Sequence, residues 1–331
     1  MRLVSLLLVL FLAGCQLPFY SPQKSNVHLV IDAGSSGTRF CPYRISEQCI
    51  HLDLSQNCFS IQASGGLADL NPSEIRQVMQ SGFTQLQGMD IEKTVVLGTG
   101  GFRRLPSHLQ AQKLNLVAST TREFFEPSEA RILTGEQEAQ LAYLAMVAFR
   151  DGKRDHVILE TGGATVQLAG QGLKPRSVPA GLNAIRELSG PPHACKENTA
   201  PSADRFLECT QALKRILKSR PWYSSFFAGQ KPESVYTLGS SWKSIYALAG
   251  DSELTLEELK KQGIRICNSS ISEIVDAGVP EQFAPASCYL HSYQYALTSE
   301  LQIGSLKAGE GSWPPGAAIS EFFSGCNSAI Q

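Results

Sequence analysis

The sequence lacks an excess of charge of either sign. Its 331 residues include 29 Lys and Arg against 30 Asp and Glu, a formal net charge of −1. Lys and Arg never occur in runs longer than two. Proteins that bind nucleic acids usually carry a basic patch or stripe, so no nucleic-acid partner is expected. With 43% hydrophobic residues, the chain is globular and long enough for one large domain or two of ordinary size.

Apolar runs long enough to span a membrane are also missing. Residues 3–12 are almost continuously apolar and follow Arg2, which is typical of a secretory signal peptide and too short to cross a bilayer. A buried hydrophobic helix is the alternative. We expect residues 1–14 to be a signal peptide and residues 15–26 to be a tether.

The end of this segment, Leu12-Ala13-Gly14-Cys15, resembles a bacterial lipobox. In that family the peptide is cut before the cysteine, which then carries lipid. The resemblance implies that Cys15 is lipidated, and that this lipid is the only contact with a membrane. Because Gln16 rather than Asp follows the cysteine, it also implies a place in the bacterial cell envelope, on the outer membrane facing the periplasm.

Zinc-type cysteine spacing is absent as well. No Cys-x-x-Cys pair occurs among the 9 cysteines, which argues against a structural zinc site. Without Cys15 an even set remains, and an even set in an exported protein favours disulfides over free thiols. The pairing cannot be deduced from sequence. Nearness along the chain favours Cys195–Cys209 and Cys267–Cys288.

Predicted strands and helices alternate along the chain, which indicates an α/β fold with a mostly parallel sheet. Short apolar runs predict the strands, at 27–32, 38–45, 94–97, 130–133, 156–159 and 234–238. Longer patterns predict the helices, at 71 onward, 106–125, 134–149, 180–189, 203–218, 242–249, 255–262 and 286–302.

One pattern occurs twice. His-Leu-Val-Ile-Asp-Ala-Gly-Ser at 28–35 is similar to His-Val-Ile-Leu-Glu-Thr-Gly-Gly at 156–163. Each is a buried strand that ends in an acidic residue and a turn of small residues. We interpret the repeat as two related halves that each offer one turn to a shared cleft. Coincidence between two apolar strands is the alternative.

The two turns have the chemistry of a phosphate site. Small residues expose backbone N–H groups and hydroxyls, which together make a concave site for anions. The acidic residues at the strand ends, Asp32 and Glu160, could hold a divalent cation through water, and Arg39 could bind phosphate oxygens in bidentate fashion. The turn residues are Gly34, Ser35, Ser36, Gly37 and Thr38 in the first half and Gly162, Gly163, Ala164 and Thr165 in the second.

Two further elements carry polar groups beside glycines. A strand leads into Gly98-Thr99-Gly100-Gly101-Phe102-Arg103, a phosphate-binding turn or a plain hairpin. Glu138 lies near the start of a predicted helix, in register with its apolar positions 141, 145 and 148. A helix N-terminus favours the ionised carboxylate, which suits a general base. The alternative is that Glu136 and Glu138 only serve the helix dipole.

These four elements, at 32–39, 97–106, 133–143 and 160–167, resemble in this order the nucleoside triphosphate diphosphohydrolases (apyrases) of the actin-like ATPase superfamily. The resemblance covers about residues 27–320. It implies an α/β fold of two actin-like (ribonuclease H-like) lobes with an active-site cleft between them. Lobe I would comprise 27–145 plus 315–331, and lobe II 146–314.

The resemblance also implies roles. Glu138 would be the catalytic base, Thr165 and Gln167 would position the attacking water, and Asp32 and Glu160 would hold Mg²⁺ or Ca²⁺. Water would attack the terminal phosphoryl group of a nucleoside tri- or diphosphate directly. The implied phosphate-binding residues are Gly34, Ser35, Ser36, Gly37, Thr38, Arg39, Thr99, Gly101, Arg103, Gly162, Gly163 and Ala164.

Three departures qualify the resemblance. The family has Asp where Glu160 stands and Ser where Thr165 stands, and the chain is short for an apyrase. The base pocket is therefore expected to be reduced. The aromatic residues that could stack on a base, or simply pack in the core, are Trp242 and Trp313, with Tyr236 and Tyr246.

A sister family fits nearly as well. Exopolyphosphatases and guanosine pentaphosphate phosphatases share the same order of elements, and residues 134–141 and 238–242 look as much like theirs. Residues 32–38, 164–167 and the cysteines favour the apyrases. A third hypothesis is a nucleotide-binding lipoprotein whose catalytic site has decayed. It is suggested by Glu160, which stands where the family has Asp.

Overall fold

The computed structural model describes residues 27–45, 52–53, 58–61, 63–126, 128–150, 152–189, 195, 204–229 and 231–322. Within these ranges the chain forms two mixed β-sheets, each with six strands and flanked by helices. The predicted signal peptide, the lipidation residue Cys15 and the tether lie outside the described residues, as do Cys49 and Cys326. None of the helices in the described ranges combines the length and apolar character needed to span a membrane.

The first lobe contains the first sheet. Its strands run in the order β3-β2-β1-β5-β6, with β4 also paired to β2. β1 pairs antiparallel with β2 and parallel with β5. The strands are β1 (Val27–Ala33), β2 (Thr38–Ile45), β3 (Leu52–Asp53), β4 (Phe59–Ile61), β5 (Ile91–Gly98) and β6 (Ser128–Ile132). The helices are α1 (Pro72–Gln85), α2 (Gly100–Arg103), α3 (Ser107–Arg122) and α4 (Gly135–Phe149).

The second sheet repeats this plan in the second lobe. Its strands are β7 (Val157–Thr161), β8 (Val166–Gly170), β9 (Leu173–Val178), β10 (Ser234–Leu238), β11 (Glu253–Thr255) and β12 (Ser305–Ala308), in the order β11-β12-β10-β7-β8-β9. Like β1, β7 has an antiparallel hairpin partner on one side and a parallel strand on the other. The sheets therefore agree with the two related halves predicted from the repeat. The helices that follow β9 in the chain are α5 (Leu182–Ser189), α6 (Arg205–Lys218), α7 (Tyr223–Phe227), α8 (Ser240–Ala249), α9 (Leu256–Asn268), α10 (Ile271–Asp276), α11 (Ser287–Leu301) and α12 (Pro314–Phe322), of which α12 returns to the first sheet.

Two helices join the lobes. α12 packs against α4 and β1, and α4 packs in turn against β7, β8 and β9. At their crossing Gly316 lies so close to α4 that a Cβ there would be 1.9 Å from the carbonyl oxygen of Leu141. One buried cluster includes Val30 of the first sheet, Ala142 and Ala317 of the two helices, and Ile158 of the second sheet. The predicted lobe boundary between residues 145 and 146 falls in the last turn of α4.

The start of α4 is determined locally. Thr134 is its N-cap: the Thr134 Oγ1 accepts a hydrogen bond from the backbone N–H of Gln137, and the Gln137 Oε1 accepts one from the N–H of Thr134. This reciprocal capping box satisfies donors that the first turn leaves free. It also sets which side chains of the turn face inward, and Glu138 is among the buried ones.

Three disulfides occur in the described part of the chain. The predicted pairs Cys195–Cys209 and Cys267–Cys288 are confirmed. A third, Cys41–Cys58, joins β2 to the residue before β4, and this pairing was not predicted. Because disulfides persist in oxidising compartments, all three are compatible with an exported protein.

Candidate active site

A polar cleft of about 360 Å³ lies between the lobes. It opens where β1 and β7 end, because each strand runs into its hairpin turn at the same edge of its sheet. Three carboxyl groups and two cationic side chains line it. The lining residues are Asp32, Gly34, Ser35, Ser36, Gly37, Arg39, Ser60, Thr99, Gly100, Glu138, Glu160, Thr161, Gly162, Gly163, Ala164, Thr165, Gln167, Gly239, Ser240, Lys243, Gly311, Ser312 and Trp313.

The two glycine turns face each other across this cleft. A Cβ on Gly163 would lie 2.3 Å from the Ser36 Oγ of the other lobe and 3.2 Å from the Ser35 Oγ. The Asn183 side chain donates a hydrogen bond of 3.3 Å from Nδ2 to the Ser36 Oγ, and its backbone N–H donates to the carbonyl of Gly163. Asn183 thus ties the turns together, and the absence of a side chain at Gly163 is what allows them to approach.

The third predicted element is a short helix rather than a hairpin turn. After β5 the chain enters α2, so that Thr99 lines the cleft and Arg103 points towards α4. The backbone N–H of Thr99 donates to the carbonyl of Ala33 over 3.2 Å. A Cβ on Gly100 would lie 2.7 Å from the Cβ of Ala164. The small residues of α2 therefore let lobe I contact the second turn closely.

Glu138 and Arg103 form a partly buried ion pair at the cleft wall. The Arg103 Nη2 donates to the Glu138 Oε2 over 2.8 Å, and its Nη1 donates to the carbonyl of Leu133 over 2.9 Å. Glu138 is 7% exposed. Burial raises the pKa of its carboxyl, and the charge and hydrogen bond of Arg103 oppose that rise. The pair holds one carboxylate oxygen in place beside the cleft.

A second polar network joins the lobes at Asp32 and Glu160. Arg39 lies opposite Asp32 in the β1–β2 register, and its Nε donates to the Asp32 Oδ2 over 2.7 Å. The Arg39 Nη2 also donates to the Ser312 Oγ over 3.3 Å, and the Ser312 hydroxyl donates to the Glu160 Oε1. Burial raises the pKa of Glu160 to about 8, with a further rise from the charge of Glu138. Burial also raises the pKa of Asp32, against the effect of Arg39.

The carboxylate oxygens of Asp32 and Glu160 are suitable ligands for a divalent cation. The buried Asp32 Oδ1 and Glu160 Oε2 have no hydrogen-bond partner, which is costly for carboxyl groups unless something compensates them. Mg²⁺ typically takes one or two carboxylates and completes its shell with water and substrate phosphates. Across the described residues, His, Cys, Asp and Glu do not form a group of three that could hold an ion. Water and phosphate would therefore supply the remaining ligands.

Thr165 and Gln167 lie together in the second turn and the strand that follows. The Gln167 Nε2 donates to the Thr165 Oγ1 over 2.7 Å, and both residues line the cleft. Because Gln167 is buried, its side chain is held in place, and its hydrogen bond fixes the Thr165 hydroxyl. Two polar groups in the same cleft as Glu138 are thus available to orient a water molecule.

Some predicted phosphate ligands do not line the cleft. Thr38 is buried in β2, and Gly101 lines a neighbouring cavity behind Ser35 and Ser36. Arg103 lies behind Glu138. Arg39 does line the cleft, but its guanidinium is engaged by Asp32. The two arginines that the sequence offered to phosphate are thus both paired with carboxyl groups.

The aromatic candidates for base stacking are core residues. Trp242 is 1% exposed, packs in the core of lobe II and donates from Nε1 to the Thr161 Oγ1 over 3.2 Å. Trp313 lines the cleft but is only 2% exposed. Tyr246 bonds Thr237, and Tyr236 packs beneath Arg150. The structure thus gives none of the four a free face in the cleft.

Several cleft residues were not among the predicted site residues. Ser312 bridges Arg39 and Glu160 from the loop before α12. Ser240 and Lys243 enter from the first turn of α8. A signal for α8 existed in the sequence, because Gly239 precedes two serines directly after a predicted strand, the same strand–glycine–hydroxyl pattern as in the other turns.

The chain matches no protein-family model and none of the curated proteins. Its fold does match solved structures. A Ppx/GppA phosphatase from Aquifex aeolicus has a TM-score of 0.64 at 17% identity, over 90% of this chain and 100% of that one. An exopolyphosphatase from Cytophaga hutchinsonii has a TM-score of 0.66 at 13% identity, over 89% and 97%.

A nucleoside triphosphate hydrolase from Neospora caninum is also similar, with a TM-score of 0.52 at 12% identity, over 89% of this chain and 92% of that one. At these identities the likeness concerns the fold. The chain therefore has the actin-like, two-lobed α/β fold that its sequence predicts.

Proposed function

We propose that the protein hydrolyses the terminal phosphoanhydride bond of a phosphate chain. The observation that carries the proposal is the position of Glu138. Its carboxyl lies at the wall of a cleft formed by two facing glycine turns, and Arg103 holds it by a hydrogen bond of 2.8 Å. A fixed carboxylate beside an anion-binding concavity is what attack of water on a phosphoryl group requires.

The reaction assigned to these residues is a direct displacement. The backbone N–H groups of residues 34–37 and 163–164, with the hydroxyls of Ser35 and Ser36, bind the terminal phosphate. Thr165 and Gln167 orient a water molecule, and Glu138 accepts its proton as the new P–O bond forms. The bridging P–O bond breaks, and the departing phosphate chain keeps the bridging oxygen. Asp32 and Glu160 would hold a Mg²⁺ or Ca²⁺ ion through water, and this ion would neutralise phosphate charge. Positioning and charge neutralisation supply most of the catalysis.

Linear polyphosphate is the substrate we place first. None of the four aromatic candidates has a free face in the cleft, so base recognition there has little support. The solved structures described as exopolyphosphatase or Ppx/GppA phosphatase also superpose better than the Neospora nucleoside triphosphate hydrolase does. Nucleoside tri- and diphosphates are the second candidate, favoured by the sequence of residues 32–38 and 164–167.

We further propose that the protein acts in the bacterial cell envelope, anchored by lipid on Cys15. Disulfides in both lobes support an oxidising compartment. Membrane fractionation of cells that express the full chain tests this directly. Cys15→Ala should move the protein out of the membrane fraction, and an unchanged distribution would refute the anchor.

A phosphate-release panel tests the activity. The purified chain without its signal peptide is assayed on polyphosphate, tripolyphosphate, pyrophosphate, ATP, ADP and GDP, with Mg²⁺, with Ca²⁺ and with EDTA. We expect metal-dependent release, fastest from polyphosphate. Faster release from nucleotides would favour the second candidate. Nucleotide binding by calorimetry without turnover on any substrate, also in Glu160→Asp, would favour a decayed site.

A further inference from the structure

Lys243 is the cleft cation that no carboxylate neutralises. Arg39 pairs with Asp32, and Arg103 pairs with Glu138. Lys243 lines the same cleft, its side chain is exposed, and it has neither an ion pair nor a hydrogen bond within the described part of the chain. An anionic substrate that enters the cleft therefore meets one uncommitted positive side chain.

The backbone of Lys243 is held firmly although its side chain is free. α8 begins directly after Gly239, which has φ 112° and lies so close to β7 that a Cβ would be 2.4 Å from the carbonyl oxygen of Thr161. The next anchor is Trp242, whose indole bonds the Thr161 hydroxyl. Lys243 therefore projects from a turn fixed against Thr161, at the end of the strand that carries Glu160.

The charge of the cleft needs such a group. Its three carboxyl groups outnumber its two cationic side chains, and a bound divalent cation would offset only the phosphates next to it. Each additional phosphate of a chain brings a further negative charge that an exposed lysine, a flexible point charge, can meet at variable positions. A nucleoside would gain nothing from this contact.

We propose that Lys243 binds the phosphate groups beyond the scissile bond and so selects extended polyanions, from triphosphate upward, over pyrophosphate. This inference rests on the proposed function, since it assumes that the terminal phosphate lies between the glycine turns. It assigns Lys243 to substrate binding and not to the chemical step.

Calorimetry on a catalytically impaired background tests the proposal. In Glu138→Gln with Mg²⁺, tripolyphosphate and pyrophosphate are titrated into proteins with and without Lys243→Met. We expect tripolyphosphate to bind about 10-fold more weakly without the lysine and pyrophosphate to change about 2-fold or less. Lys243→Arg should restore most of the affinity. Lys261→Met, an exposed lysine on α9, is the matched control and should change neither.

Equal weakening of both ligands, or none, would overturn the proposal. Kinetics of the single variant provide a second readout: Lys243→Met should raise KM for tripolyphosphate about 10-fold and leave kcat within about 2-fold. The two proposals fail separately. If tripolyphosphate binding depends on Lys243 but the protein with its natural Glu138 does not hydrolyse it, the proposed hydrolase activity is refuted and the Lys243 binding site is retained. If the unchanged protein and Lys243→Met both hydrolyse tripolyphosphate with the same KM, the hydrolase activity is retained and the Lys243 binding site is refuted.

Discussion

Arg103 and Glu138 form a pair that only the folded chain creates: the Arg103 Nη2 lies 2.8 Å from the Glu138 Oε2. Arg103 ends α2 and Glu138 lies in the first turn of α4, so the pair links two of the four elements found in the sequence. A helix N-terminus and a guanidinium both favour the ionised carboxylate, whereas burial opposes it. Burial is the larger effect, so the pKa of Glu138 lies above its ordinary value, and Arg103 limits the rise.

The first prediction concerns Glu138 itself. Glu138→Gln keeps the size and the hydrogen bond of the side chain but cannot accept a proton from water. Phosphate release should therefore fall by about 10²- to 10⁴-fold. Glu136→Gln is the control, because Glu136 is exposed on the same helical turn, and it should retain activity. Full activity of Glu138→Gln in a phosphate-release assay would show that Glu138 is not the general base.

The second prediction concerns the acid limb of the pH–rate profile. Arg103 lowers the pKa of Glu138, so its removal raises that pKa and reduces the ionised fraction at a given pH. In Arg103→Met the acid limb of kcat should therefore move to higher pH. Arg104→Met removes only a solvent-exposed pair with Glu187 and should leave the limb in place. If the acid limb of Arg103→Met does not move, the ion pair with Arg103 does not set the pKa of the catalytic group.

Much of the fold could be predicted because its signals are local. The buried strands β1 and β7 appear as apolar runs that end in an acidic residue, and β2 and β10 have the predicted bounds. α4 also lies where the sequence predicts a helix, at 134–149, with Thr134 as its N-cap. The short strands β11 and β12 were missed, because few of their residues are buried and their pairing is with each other and β10, at a distance along the chain.

The parts of the site that could not be predicted depend on contacts between distant segments. Ser312 meets Glu160 only because α12 returns to the interface between the lobes. Arg39 was interpreted as a phosphate ligand, but the β1–β2 register places it opposite Asp32. Trp242 was a stacking candidate from its residue type. Its burial follows from the packing of α8 on the second sheet, and residue type alone does not show how a helix packs.

A third prediction tests whether the turns must approach each other. A Cβ on Gly163 would come within 2.3 Å of the Ser36 Oγ and 3.0 Å of the Asn183 Nδ2. Gly163→Ala should therefore displace the Ser36 hydroxyl and the turn that carries it, and lower kcat/KM about 10-fold or more. The double variant Gly163→Ala with Ser36→Ala removes the nearest obstacle, so its loss should be smaller than the product of the two single losses. Independent, multiplicative losses would show that the turns do not press on each other.

The last prediction concerns stability against acid and is independent of the site. His291 on α11 is fully buried, its Nδ1 bonds the carbonyl of Ser287 over 2.8 Å, and its Nε2 has no partner. Burial lowers its pKa to about 4 from 6.5, although the Ser287 bond acts in the opposite sense. As pH falls from 6.5 towards 4, the unfolded chain binds a proton that the folded chain excludes. The free energy of unfolding should then decrease, by up to about 1.4 kcal/mol per pH unit from this residue.

Urea unfolding between pH 4 and pH 7.5, followed by tryptophan fluorescence, measures this slope. His291→Gln cannot take up the proton, so its stability should fall less steeply in the same window, even if its stability at pH 7.5 is lower. His108→Gln is the control, because His108 is exposed on α3 and should not affect the slope. Parallel curves for His291→Gln and the unchanged protein would mean that the folded state admits the proton on His291, for example by a local opening at the start of α11.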